Sequence, residues 1–354
     1  MRAPLSWIKE FVDIPASITA EQISDGLIRV GFEVEEIIKQ GADLTGPLKF
    51  AKVLSIEEIT EFKKPIRYVG LDCGEKEIRY VICGATNFEV GDIIVAALPG
   101  AVLPGDFHIA ARDTYGKTSN GMICSSRELG IGEDHSGIMV FTEGDVEIGS
   151  DAIAALEIND VIFDIAVNPD RGYALSIRGI AREIAGSLAL KFTDPVDALR
   201  GLQFTETGKG VTAKIADKDT ASVFYLRTIS NFDPAAKVPI WMRRRIEKMG
   251  MRSISLVVDI TNYVMLELGQ PLHAFDKTKI SGGLTIKRAG KSQKFVTLDG
   301  QERTLDPDDL MVCDDKQPLA LAGTMGGLFS EITATTTDIA LEAVHFCPVC
   351  IAKN

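Results

Sequence analysis

The sequence predicts a multidomain α+β chain: a small N-terminal α/β module, a small β-barrel and a mixed α/β C-terminal part. Three observations carry this. The chain has 354 residues, enough for two or three domains with cores of their own. Between residues 46 and 150, short β-branched runs alternate with glycine turns. On either side of that region, segments of helical period are interleaved with strands. The expected boundaries are residues 1–45, 46–150 and 151–354.

In the N-terminal module, Leu5, Trp7, Ile8, Phe11 and Val12 space helically, and Ile14-Pro15 ends the run. Thr19 followed by Glu21 and Gln22 reads as a helix start, with Ile23, Leu27 and Ile28 on one face. Gly31 stops that helix, and the run from Phe32 to Ile38 reads as a strand. In the barrel region the expected strands are Lys49–Glu58, Arg67–Cys73, Ile78–Cys83, Asp92–Leu98 and Phe107–Ala111. Five strands in about a hundred residues predict a Greek-key barrel of the OB type. Lys63, Lys64 and Arg67 make a local basic patch, beside which Phe62 or Tyr68 can stack on a base. Acidic residues nonetheless outnumber basic ones across the barrel.

In the C-terminal part, DVIFDIAVNPDRGYALSIRGIAREIAGSLAL reads as a strand, a turn at Asn168-Pro169-Asp170 and an amphipathic helix over Ser176–Leu188. Residues 200–220 are polar and read as a surface excursion, Val223–Ser230 as a strand, and Pro239–Met249 as a helix. Further strands are expected at Leu284–Ala289, Gln293–Leu298 and Met311–Cys313, with an Asp299-Gly300 hairpin turn. The stretch VVDITNYVMLELGQPLHAFD, Val257–Asp276, gathers a carboxylate (Asp259), a hydroxyl (Thr261), a carboxamide (Asn262) and His273. Val257, Val258 and Ile260 predict a short buried strand into Thr261, with a helical turn or two over Tyr263–Leu268. On residue types alone, a histidine beside a Gly/Pro turn is more commonly a hydrogen-bonded structural residue than a catalyst.

Composition narrows the function classes. The net charge of −12 argues against a stand-alone, non-specific nucleic-acid binder, because neutralised phosphates supply much of such affinity. It permits an enzyme or one part of an assembly. No run of 18 apolar residues exists, so no membrane span is expected. The opening MRAPLSWIKEFVDIP lacks the apolar core of a signal peptide, and the six scattered cysteines read as reduced thiols of a cytoplasmic protein. His345, Cys347 and Cys350 have a metal-like spacing, but three ligands fall short of a closed zinc site, and no metal is expected. Gly323, Gly326 and Gly327 let a backbone approach a ligand, yet match no nucleotide-binding fingerprint.

Several of these segments resemble one family. VVDITNYVMLELGQPLHAFD is similar, nearly continuously, to a signature in the editing domain of the β subunit of bacterial phenylalanine–tRNA ligase. LSWIKEFVDIP is similar to the opening of the same subunit. VICGATNFEVGD, LPGAVLPGDFHI and YGKTSNGMICSSRELGIGEDHSGIMVF resemble its tRNA-binding OB module. Three places depart from the family pattern. Glu61-Phe-Lys-Lys-Pro-Ile66 replaces a His-Pro-Asn-Ala-like turn, Asn168-Pro169-Asp170-Arg171 replaces an Asn-Arg-Pro-Asp-like loop, and Cys347 and Cys350 stand where Asp and Ser are usual. The family's β subunit is much longer, so the expectation is an N-terminal part of it with a C-terminally incomplete editing domain.

The resemblance implies tRNA(Phe) and an α subunit as partners, in an α2β2 assembly. It places synthesis, with its ATP and Mg²⁺, on the α subunit and leaves no cofactor for this chain. It implies hydrolytic proofreading of tyrosyl-tRNA(Phe) here. The implied catalytic residues are His273, Thr261 and Asn262; Glu342, Gly323, Thr324, Gly326 and Gly327 are implied for substrate binding; Lys63, Lys64 and Arg67 are expected to bind tRNA. A hydrophobic pocket rejects an added hydroxyl only about 10²-fold, so a second site that hydrogen-bonds the phenol is chemically needed. No serine or cysteine adjoins His273, which favours a positioned water over a covalent nucleophile. The competing reading is a non-catalytic RNA-binding or assembly subunit that has lost editing. A free-standing hydrolase of mischarged tRNA is a third.

Overall fold

The computed structural model describes residues 1–62, 66–132, 137–203, 205 and 208–354. The chain divides into two compact units. One contains Met1–Gly172, Ile180–Thr193 and Pro239–Arg252; the other contains Tyr173–Gly179, Asp194–Val238 and Ser253–Asn354. Among the described residues no helix is long and apolar enough to cross a membrane.

The first unit begins with strand Arg2–Pro4 and a single helical turn, Leu5–Ile8. The helical spacing to Val12 predicts more. Val12 instead bridges antiparallel to Phe192, which draws the backbone out of the helix while Trp7, Ile8, Phe11 and Val12 all stay buried. Helix Ala20–Arg29 starts as the sequence predicts, with a full capping box between Thr19 and Gln22. Gly31, at φ 88°, ends it in the left-handed region. Strand Glu33–Gln40 then pairs antiparallel with Asp160–Ala166, whose other edge takes Arg2–Pro4.

The barrel follows. Its antiparallel sheet runs Met122–Ile123, Ile93–Ala97, Leu48–Ile59, Ile66–Asp72, Arg79–Cys83, and Val140–Phe141 also pairs with Ile93–Ala97. The sheet curls until its edges meet. The Asn120 N–H donates to the Tyr80 carbonyl (2.8 Å), and the Ile82 N–H donates to Ser119 Oγ (2.9 Å). Alternation along the strands sends Val53, Val69, Leu71, Val81, Ile94 and Ala96 into one core. Strand Ile93–Ala97 is buried on both faces, because Ile93, Val95 and Ala97 pack with Leu48, Phe50, Leu156 and Ile158 on the outside. The expected strand Phe107–Ala111 is not in the barrel. Phe107–His108 forms a small exposed hairpin with Val102–Leu103, and Met122–Ile123 takes the edge position.

The second unit stacks two sheets. One runs Ala213–Ile215, Leu284–Arg288, Leu310–Cys313, Pro318–Leu321, Met325–Gly326. Its first strand, parallel to the second, lies in the stretch expected as a surface excursion. The other has Ile339–Phe346 at its centre, flanked by Ala221–Ile229 and Leu272–Asp276. Leu284, Ile286, Leu310, Val312, Leu319 and Ala320 from the first sheet meet Phe275 and Ala340 from the second in one apolar core. The expected hairpin at Asp299-Gly300 is present, joining Gln293–Val296 to Glu302–Leu305, with Gly300 at φ 75°.

Candidate functional site: a buried acid facing an imidazole

The segment Leu256–Leu268 is one helix, without the expected strand at Val257–Thr261. Its ends overrule the β-branched run. Asp259, wholly buried, accepts hydrogen bonds from the Ile254 N–H (2.9 Å) and the Ser253 hydroxyl, so a carboxylate closes the positive end of the helix. Gly269, at φ 79°, ends it left-handed, its N–H donating to the Met265 carbonyl (2.8 Å). Two residues later Pro271 leads into strand Leu272–Asp276, which carries His273.

That strand runs antiparallel to Ile339–Phe346 in a register that sets His273 directly opposite Glu342. Directly opposed residues share a face, with Cβ atoms about 5 Å apart. On the other side of the same strand Leu226 opposes Glu342. Glu342 thus projects from the face that also carries Ala340 and Val344, toward the apolar core. It is 7% exposed, and its Oε2 is buried with no hydrogen-bond partner among the described residues. Burial pushes its carboxyl up to about 8, so the group is mostly uncharged at neutral pH.

His273 is half-buried by area, yet protein crowds it closely. Phe275 meets its ring edge-on at 4.5 Å. A Cβ at Gly326 would lie 2.6 Å from its Cε1 and 3.0 Å from its Nε2, so only glycine lets the backbone rest on the imidazole. Burial lowers the imidazole to about 4 and keeps it neutral. Neutral His273 retains a lone pair, but it is a weaker base than an ordinary histidine near pH 7.

The rest of the expected site distributes around this pair. Gly327 backs onto the Leu319 carbonyl, to which its N–H donates (2.8 Å), and a Cβ there would meet both that oxygen and the Phe295 ring. Gly323, at φ 63°, turns the exposed start of the loop, and Thr324 is exposed beside it. Thr261 is 8% exposed, and its hydroxyl donates to the Val258 carbonyl of its own helix (2.7 Å). Asn262 is half-buried on that helix. No hydrogen bond joins either residue to His273 or Glu342 among the described residues. Sequence reasoning missed Leu226, Phe295 and Leu298, which press on the pair or its glycine wall. It also missed Gln270, whose amide donates to the Val344 carbonyl (3.3 Å) and ties the turn before His273 to the central strand. The only local signature of Leu226, Phe295 and Leu298 is their apolar character, and that of Gln270 is its place in a Gly/Pro turn, neither of which singles them out.

On the barrel, Lys63 and Lys64 lie outside the described residues. Arg67 is engaged internally, bonding Glu58 (2.8 Å) and the Phe88 carbonyl (2.9 Å) while lying over the Phe88 ring. The exposed feature nearby is aromatic. Tyr68 and Tyr80 stack at 5.1 Å, Lys117 Nζ sits 4.9 Å from the Tyr68 ring, and Phe62 meets Tyr115 edge-on at 4.7 Å. Phe62, Tyr80 and Tyr115 are 40–46% exposed.

Comparison with known proteins places these features. Residues 48–151 match the family described as a putative tRNA binding domain, and residues 220–354 match the B3/4 domain family. The phenylalanine–tRNA ligase beta subunit of Thermobifida fusca is 52% identical over 358 residues, covering 100% of this chain and 43% of its own length. That of Streptomyces avermitilis is 51% identical over 361 residues, with the same coverage of 100% and 43%. The chain therefore spans less than half the length of these relatives. A solved N-terminal fragment of the phenylalanyl-tRNA synthetase beta-subunit from Pyrococcus horikoshii is 18% identical, with a TM-score of 0.32 over 52% of this chain and 56% of that one, too distant to bear on the site.

Proposed function

Since this chain belongs to the β-subunit family of phenylalanine–tRNA ligase, we propose that it binds tRNA through its barrel and hydrolyses tyrosyl-tRNA(Phe) at the Glu342–His273 pair. Aminoacylation, with its ATP and Mg²⁺, then belongs to the partner α subunit. The observation that supports the hydrolytic reading is the orphaned Oε2 of Glu342. A buried polar atom without a partner costs about 1–3 kcal/mol, which a ligand hydroxyl can recover. A tyrosine phenol supplies that hydroxyl. Phenylalanine offers only a C–H and leaves the acid unpaired, so the same cost becomes discrimination of roughly 10–100-fold.

His273, held neutral beside the acid, accepts a hydrogen bond from a water and aims it at the ester carbon. The low basicity of this imidazole favours orienting the water over fully abstracting its proton. Thr261 and Asn262 enter as groups that hold the terminal ribose or the α-amino group, on a helix that packs beside the His273 strand. On the barrel, the Tyr68–Tyr80 stack with Lys117, and Phe62 with Tyr115, offer flat rings to unstacked bases, and the positive charges of Lys63 and Lys64, close to Phe62 in sequence, are proposed to add phosphate attraction.

Deacylation of tyrosyl-tRNA(Phe) and phenylalanyl-tRNA(Phe) by the chain tests the reading. Tyrosyl-tRNA should be hydrolysed preferentially. Glu342→Ala should remove the preference, and His273→Ala should slow both reactions by about 10²–10⁴-fold, or less where it only positions water. Intact binding of tRNA with no hydrolysis by the parent protein overturns the reading in favour of a non-catalytic RNA-binding or assembly subunit.

A further inference from the structure

Six cysteines occur in the chain, and four of them, Cys73, Cys83, Cys124 and Cys313, are buried. Burial pushes those four thiols up, Cys73 and Cys313 to about 11, and leaves them inert. Cys347 and Cys350 differ in every respect. Both are half-exposed, and they sit one turn apart at the end of strand Ile339–Phe346.

The turn is held firmly. The Cys347 N–H donates to the Thr220 carbonyl (2.8 Å), and the Cys350 and Ile351 N–H groups both donate to the Cys347 carbonyl at 3.1 Å. Pro348 presets the backbone of the first position. An Arg288 nitrogen lies 4.0 Å from the Cys350 sulfur. The neighbouring Cys350 N–H and thiol hold the Cys347 thiol below the ordinary range, while burial and the neighbouring thiol hold Cys350 above it. Residues three apart in such a turn have Cβ atoms about 5–6 Å apart, within a small adjustment of disulfide geometry.

We propose that Cys347 and Cys350 form a reversible dithiol–disulfide pair that exchanges with low-molecular-weight disulfides, Cys347 attacking and Cys350 resolving. The Cys347 thiolate attacks one sulfur of the small disulfide, forming a mixed disulfide and expelling one small thiolate, which takes up a proton. Cys350 then loses its proton to solvent and attacks the Cys347 sulfur. The Cys347–Cys350 bond forms, and the second small thiol leaves. The protein gives up two electrons and two protons, and the small disulfide is reduced to two thiols. Because Ile351 packs its Cδ1 against Gly323 and Asn354 bonds the Ala322 carbonyl (2.9 Å), this exchange takes place at the foot of the Gly323–Gly327 loop.

Incubating the native protein with oxidised glutathione, then trapping and mapping thiols by mass spectrometry, tests the proposal. The expected product is an internal Cys347–Cys350 disulfide, reversed by dithiothreitol, with the other four cysteines still free after denaturation. Cys350→Ser should accumulate glutathione on Cys347, and Cys347→Ser should react more slowly at Cys350. Absence of the internal bond at every ratio of oxidised to reduced glutathione, earlier reaction of the buried cysteines, or equal rates in the two single variants overturns it. None of these readouts depends on hydrolysis, so the outcome is separate from that of the deacylation assay.

Discussion

Glu342→Gln replaces the buried acid by a group of the same shape that never ionises. In the parent protein the unfolded carboxyl titrates near 4.5 and the folded one near about 8. The folded state therefore holds a proton that the unfolded state gives up across that window. The stability this group contributes is complete below pH 4.5 and is lost as the pH rises through about 8. Each unit of that window is worth about 1.4 kcal/mol, so between about pH 5.5 and about pH 7.5 the variant should gain roughly 3 kcal/mol on its parent. The orphaned amide of glutamine adds a constant cost of about 1–3 kcal/mol, which drops out of a comparison across pH. Both tryptophans, Trp7 and Trp241, lie in the other compact unit, so their fluorescence does not report on this one. Hydrogen exchange of the Ile339–Phe346 amides, compared between variant and parent at each pH, is the suitable readout. A variant–parent difference that stays flat across the range refutes the argument: Glu342 would then be an ordinary carboxylate, ionised in both states. His273 supplies the mirror image. Its folded value near 4, against 6.5 unfolded, costs stability as the pH falls. In the parent the two slopes therefore cancel between 4.5 and 6.5.

Two further predictions follow from the packing and the surface. Gly326→Ala should drive its methyl into His273 and Leu298, lowering stability by about 1–3 kcal/mol and slowing hydrolysis, measured by denaturant melts and deacylation rates. Affinity for tRNA should fall with salt. Tyr68→Ala combined with Tyr80→Ala should weaken it by roughly 1–3 kcal/mol per stacked base, whereas replacing Lys63, Lys64 and Arg67 together should chiefly flatten the salt dependence, as filter binding at several salt concentrations would show.

Much of the architecture is legible in the sequence because it rests on local rules. The Thr19–Gln22 capping box, the Gly31 stop and the Asp299-Gly300 hairpin each fix their element within a few residues. The barrel's long strands show the alternation that a one-sided core demands. Its edge is not legible, because Met122–Ile123 and Val140–Phe141 are only two residues long and carry no period. Helix Leu256–Leu268 departs from the strand expected over its first turn for the opposite reason. Side-chain propensity at Val257, Val258 and Ile260 is a weak local preference, and the Asp259 and Gly269 ends outweigh it. The site was the least legible part. The meeting of His273 with Glu342 is a matter of strand register between distant segments, which no local pattern encodes. The resemblance names both residues and leads to the expectation of one shared pocket, but the pairing that sets them opposite each other is seen only in the folded chain.

The central position of strand Ile339–Phe346 has a consequence for how this chain can change. Substitutions alter one side chain and leave the frame intact. Losing or gaining one residue inside the strand is different in kind, because side chains alternate with a period of two. A shift of one place would carry Glu342 to the opposite face and bring a neighbour, Leu341 or Ala343, beneath the imidazole. Both flanking strands read their register from this one, so the slip would misalign Leu226 as well as His273. Length is therefore held more strictly here than composition, and tolerated insertions belong in the polar connection before Ala213, where no second strand depends on the count.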